Sequence, residues 1–122
     1  MPPRKVVLIV DDDNDIREAI RDLLEVEGCG TAEARDGGAG LAYLRSHPAP
    51  AVILLDWNMA PVSGAEFMSE FSRDASLASI PVVLLTADAR APPKARALGL
   101  STVLAKPIDA DQLLAIAASY QA

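Results

Sequence analysis

The stretch Val6-Val7-Leu8-Ile9-Val10-Asp11-Asp12-Asp13 decides the fold. Its apolar residues are mostly β-branched, run without alternation, and stop at three acids. A strand with one wet face alternates apolar and polar residues. An unbroken run therefore means burial on both faces, as in a parallel sheet covered by helices.

Further along, Ala51 to Leu55, Pro81 to Leu85 and Thr102 to Ala105 repeat the pattern. A weaker run at Gly30 to Ala34 has poor strand propensity and predicts an edge strand. Helical spacing fills the intervals. Ile16, Ile20, Leu23, Leu24 and Val26 follow Asp13 to Asp15, where a cap belongs, and Gly28 ends that helix. Leu41 and Leu44 lie on a second helix between the Asp36-Gly37 turn and Pro48. Phe67, Met68 and Phe71 mark a third, capped by Ser63. The fifth runs from Asp109 to Tyr120, with Leu113, Leu114, Ile116 and Ala117 inward. In the fourth interval Pro92 and Pro93 leave room for a turn or two of helix, expected to begin after them. Strictly alternating strands and helices give a doubly wound α/β fold with a five-stranded parallel sheet. The chain of 122 residues shows no repeat, linker or low-complexity tract, so residues 1–122 read as one domain.

Hydrophobic residues make up 51% of the chain and aromatics only 4%, so Val, Ile, Leu and Ala must fill the core. The formal charge of −6 argues against a nucleic-acid surface, which needs clustered Lys and Arg. No apolar run is long enough to span a membrane, and Met1 to Lys5 with the short run after them lack the longer apolar stretch and cleavage site expected of a signal peptide. The lone Cys29 excludes an internal disulfide, fits a reducing compartment and reads as small buried filler. These features together point to a cytoplasmic protein.

Open α/β sheets build their sites at the carboxyl ends of the strands. There the first strand carries Asp11, Asp12 and Asp13, the third Asp56, the fourth Thr86, and the fifth Lys106-Pro107. Each residue has an ordinary reading alone: Asp13 or Asn14 and Thr86 as helix caps, Lys106 as a solvated charge. At four strand ends together they form a chemical set. Clustered carboxylates repel, and a hard divalent cation such as Mg²⁺ relieves that repulsion through oxygen ligands. Lys106 adds a fixed cation, and Asp56 between the two is placed to attack a phosphoryl group.

Leu8-Ile9-Val10-Asp11-Asp12, Leu54-Leu55-Asp56-Trp57-Asn58-Met59, Ser63-Gly64, Ile80 to Ala87 and Lys106-Pro107 resemble the receiver domain of two-component response regulators. Ala34-Arg35-Asp36-Gly37 fits the entry to that family's second helix. The resemblance implies strand order 2-1-3-4-5, the flavodoxin-like (βα)5 arrangement. It implies phosphoryl transfer to Asp56 from a histidine kinase or a histidine phosphotransfer protein. It further implies Mg²⁺ on Asp12, Asp56 and the Asn58 carbonyl, with Asp11 binding mainly through water. Thr86 would hydrogen-bond the phosphoryl group, Lys106 would pair with it, and the Lys106-Pro107 bond would be cis. By the same resemblance the chain is a switch that assists its own phosphorylation and dephosphorylation, rather than an enzyme. Output would pass through protein contacts to a partner the sequence does not name, from a monomer or weak dimer with no direct contact to nucleic acid or membrane.

Three departures stand out. The family's aromatic three residues before the lysine is Val103. Its proline four residues after the phosphorylated Asp is Ala60, with Pro61 displaced by one. The segment from Thr86 to Gly99 is short, so the face of helix four, strand five and helix five should be altered. Two other functions bear on the same residues. An aspartyl phosphatase needs a second Asp as general acid two residues after the nucleophile, and Asn58 stands there. A degenerate receiver acting only as a binding module is opposed by the intact Asp11, Asp12, Asp56, Thr86 and Lys106. His47 reads as an exposed helix-terminal residue, Trp57 as a neighbour that shapes the site, and Tyr43 and Tyr120 as packing.

Overall fold

Each apolar run forms a strand: β1 (Val6–Val10), β2 (Gly30–Ala34), β3 (Val52–Asp56), β4 (Val82–Thr86) and β5 (Thr102–Ala105). The computed structural model describes residues 6–100 and 102–121, so the outermost residues of the expected 1–122 domain lie outside it. All pairings are parallel, in order β2-β1-β3-β4-β5. The central β3 is buried along its whole length, while β2 at the edge is mostly half-buried.

Alternate strand residues feed two cores. Leu8, Val10, Ile53, Leu55 and Leu84 face α2 (Gly37–Ser46), α3 (Gly64–Arg73) and α4 (Ala91–Ala97). Val7, Ile9, Leu54, Val83, Leu85 and Leu104 face α1 (Asn14–Val26) and α5 (Ala110–Ser119). The unbroken runs are thus two interleaved period-two patterns, each buried against helices. Cys29 is half-buried beside the second core. No helix among the described residues is long and apolar enough to cross a membrane.

Caps fall where short polar side chains precede helices. Asp13 accepts from the Asp15 and Ile16 amides, Asp36 from Ala39 and Asp109 from Gln112. Ser63 and Glu66 form a reciprocal capping box that opens α3. Gly28 follows the end of α1 at φ 83°, a conformation glycine adopts freely.

Two expectations are corrected. Val26 lies 83% exposed, because its place at the last turn of α1 carries it off the inward stripe defined by Ile20 and Leu24. The fourth helix begins at Ala91 with both prolines inside its first turn, rather than after them. First-turn amides have no intrahelical acceptor, so proline there loses nothing and its fixed φ suits the helix. At seven residues α4 is as short as expected.

Phe67 is fully buried and stacks on Phe71 at 5.8 Å between ring centroids. Phe67→Ala should lower the unfolding free energy by about 3–5 kcal/mol in urea titration. Val26→Ser should change it by no more than about 0.5 kcal/mol; a large loss from the Val26 change would place that residue in the core after all.

Candidate functional site

Parallel strands all point their carboxyl ends the same way, so residues that close the strands share one edge of the sheet. Asp11 immediately follows β1, Asp56 closes the neighbouring β3, Thr86 closes β4, and Lys106 follows β5. The Lys106 ammonium lies 2.8 Å from Asp11 Oδ2 and 3.3 Å from Asp56 Oδ1. Carboxylate oxygens of Asp11, Asp12 and Asp56 lie within 4.8 Å of one another. Asp11 and Asp56 are buried, whereas Asp12 is exposed at the mouth.

Asp11 is held at every polar atom. Its amide donates to the Ala34 carbonyl, its Oδ1 accepts from the Asp13 amide, its Oδ2 takes Lys106, and its carbonyl accepts from Arg17 Nη1 at 2.6 Å. Behind Asp56 the chain turns tightly. The Gly64 amide donates to the Trp57 carbonyl, and a Cβ on Gly64 would come within 2.8 Å of the Asp56 carbonyl oxygen. Only glycine allows α3 to start that close to the strand end. Trp57 is 8% exposed, packed under the site rather than displayed on it.

Thr86 is buried, with its Oγ1 accepting from the Asp88 amide, and the Lys106 amide donates to the Thr86 carbonyl. The Asp88 carboxylate is tied to Arg90 through both its amide and its guanidinium. Asn58 sits exposed, two residues beyond Asp56. Beside Thr86 opens a groove of about 220 Å³ bounded by Asp88, Pro92, Val103 and Lys106. The half-buried Val103 borders this space with a side chain smaller than an aromatic ring. The Lys106-Pro107 bond is cis as expected; Ala60-Pro61 is cis too, which the sequence reading did not foresee.

The charges do not balance. Burial pushes the Asp56 carboxyl up to about 6, and the Asp11 charge pushes the same way; Lys106 pulls it down without prevailing. Burial pulls the Lys106 ammonium down, but the hydrogen bond and charge of Asp11, reinforced by Asp56, hold it above its ordinary value. One ammonium thus faces three carboxyl groups. That oxygen-only donor set suits a hard divalent cation.

The response regulator receiver domain family matches residues 7–118. The chain belongs to this family. The phosphate regulon transcriptional regulatory protein PhoB of Escherichia coli is 34% identical over 111 residues, covering 89% of this chain but 48% of PhoB. The chain therefore spans about half the length of such relatives. The polar-differentiation response regulator DivK of Brucella ovis is 33% identical over 118 residues and is covered, like this chain, to 95%. The chemotaxis protein CheY4 of Vibrio cholerae superposes with a TM-score of 0.87 at 27% identity, over 97% of this chain and 99% of that one. Receiver domains are phosphoacceptor switches of two-component signalling that bind Mg²⁺ at an acidic pocket, and the Asp11, Asp12 and Asp56 cluster fits that chemistry.

Of the site residues expected from the sequence, Asp11, Asp12, Asp56 and Lys106 come together, Thr86 pairs through its carbonyl with the Lys106 amide, and Asn58 stands exposed two residues beyond Asp56. Arg17 was missed. Its signal was a cation in the opening turn of a helix, where the dipole disfavours one unless a partner holds it.

With the Asp56 carboxyl raised from 3.8 to about 6, the native state holds its proton more tightly than the unfolded chain. Its contribution to stability therefore falls as pH rises from 4 through 6. In metal-free buffer Asp56→Asn should gain about 2–3 kcal/mol on the wild type between pH 4 and pH 7. Urea titrations across that range read this; a difference that stays constant with pH would contradict it.

Proposed function

We propose that this receiver accepts a phosphoryl group on Asp56 from a histidine kinase or histidine phosphotransfer protein, with Mg²⁺ held by Asp12, Asp56 and the Asn58 carbonyl and by Asp11 through water. The observation that carries this reading is the Lys106 ammonium, in contact with Asp56 and hydrogen-bonded to Asp11 beside the acid cluster. Asp56 Oδ attacks phosphorus as the phosphorus–nitrogen bond of the phosphohistidine breaks, and the imidazole leaves with the bonding pair and takes up a proton. Bound Mg²⁺ supplies charge that lowers repulsion between the incoming phosphoryl oxygens and the acids. Lys106 stays ionised and pairs with a phosphoryl oxygen. The Thr86 hydroxyl, released from the Asp88 amide, donates to another. That exchange would move the β4–α4 loop and change the surface offered to partners.

On this reading residues 1–122 act as one receiver unit, as a monomer or weak dimer in the cytoplasm, with output through protein contacts rather than direct contact with nucleic acid or membrane. PhoB is by name a transcriptional regulator, so a longer protein containing this unit could add such an output. Val103 borders an open groove, and on this reading Thr86 moves without an aromatic side chain turning into that space.

A small phosphodonor with Mg²⁺ should add one phosphoryl group by intact mass, and Asp56→Asn should add none. Equal labelling of the Asn variant would move the acceptor elsewhere. Hydrolysis needs a water in line with phosphorus, opposite Asp56. Asn58 is exposed and Asp88 is committed to Arg90, so neither bars that path. The phosphorylated state should be short-lived, and Asn58→Leu should lengthen it severalfold when decay is followed after donor removal. A wild-type phosphate that outlasts the variant's would show that other groups seal the path.

A further inference from the structure

Arg17 makes contacts that a solvated helix arginine does not. Its side chain is only 11% exposed. Nη1 donates to the Asp11 carbonyl at 2.6 Å, Nη2 to Asn14 Oδ1, and Nε to Glu33 Oε1 at 3.4 Å. One planar guanidinium thus joins the end of β1, the first turn of α1 and a residue of β2. The Asp11 carbonyl lies just past the last residue of β1. The peptide that carries it also carries the Asp12 amide. Fixing the direction of that carbonyl fixes the plane from which Asp12 departs, and with it the line along which the exposed Asp12 carboxylate reaches the cluster.

The contribution is geometric more than electrostatic. Glu33 lies against the guanidinium and offsets its charge, and also receives Arg21 Nη1 at 3.3 Å. A lysine could keep the charge of Arg17 but not the rigid fork that reaches three partners at once. Arg21, one turn further along α1, shares Glu33 and pairs with Glu18, Asp22 and Glu33 rather than Asp11. It therefore separates the effect of the ion pair from the effect of the carbonyl contact.

We propose that Arg17 is a positioning residue for the acid cluster: by holding the Asp11 carbonyl it aims Asp12 and so sets the affinity for Mg²⁺. The inference rests on the reading of Asp11, Asp12 and Asp56 as the Mg²⁺ site. Groups behind metal ligands typically change affinity by about 10–100-fold when removed.

The test titrates Mg²⁺ into the full chain and follows fluorescence of Trp57, the only tryptophan, with melting temperatures recorded in chelator. Arg17→Ala and Arg17→Lys should each weaken Mg²⁺ binding by roughly tenfold or more, and Arg21→Ala by less than about twofold on the same reasoning, since it leaves the carbonyl contact intact. Should Arg17→Ala fail to fold, Arg17→Lys carries the same reading. Arg17 variants that bind Mg²⁺ as the wild type does, or an Arg21→Ala variant weakened equally, would overturn the inference while leaving the site reading intact. Recovery of wild-type affinity by Arg17→Lys would also overturn it, in favour of charge alone. A wild type blind to Mg²⁺ would remove the site reading and this inference with it.

Discussion

The contact between Lys106 and the two buried acids is the constraint on which the site depends. Lys106 and Asp11 are 95 residues apart in sequence and meet at 2.8 Å. In the order β2-β1-β3-β4-β5 the lysine must reach across the ends of β4 and β3 to touch Asp11. That reach requires every strand end to be in register. Breaking such a buried pair leaves an uncompensated charge, which costs far more than the intact pair contributes. The single ammonium still leaves an excess of carboxyl groups, and burial, with the Asp11 charge adding to it, raises the proton affinity of Asp56 despite Lys106. That excess of carboxyl oxygens over cations suits the cluster to a divalent cation.

The strands and their edge of chemistry were legible because both follow from local rules. Doubly buried strands need unbroken apolar runs, and parallel order then collects whatever follows them. Asp11, Asp56, Thr86 and Lys106 could be assembled without coordinates for that reason. Asp13 and Ser63 were readable as caps because short oxygen side chains before a helix have few other uses, whereas Asp36, read as a turn, and Asp109, read as the first helical residue, show their capping only in the fold.

What escaped depended on three-dimensional partners or on phase along a helix. Val26 fits an apolar count but not the inward stripe, since small errors in helical phase accumulate toward the end of α1. Pro92 and Pro93 looked like a barrier, yet first-turn positions tolerate them. Arg17 carries no motif beyond a cation in the opening turn of a helix; its contacts with the Asp11 carbonyl and Glu33 are visible only in the fold. Gly64 belongs to the Ser63-Gly64 motif, but the reason for a glycine there, that a Cβ would lie 2.8 Å from the backbone of Asp56 and Trp57, is visible only in the fold.

Mg²⁺-dependent stability tests the central claim most directly, because it reads the charge imbalance without any partner protein. At a hundredfold excess over its dissociation constant, a ligand bound only by the native state adds about 2.7 kcal/mol. The melting temperature of the wild type should therefore rise by several degrees in Mg²⁺ relative to chelator, and sodium chloride at equal ionic strength should not reproduce the rise. A melting temperature indifferent to Mg²⁺ would contradict the account: the three acids would then be held by Lys106 and solvent alone.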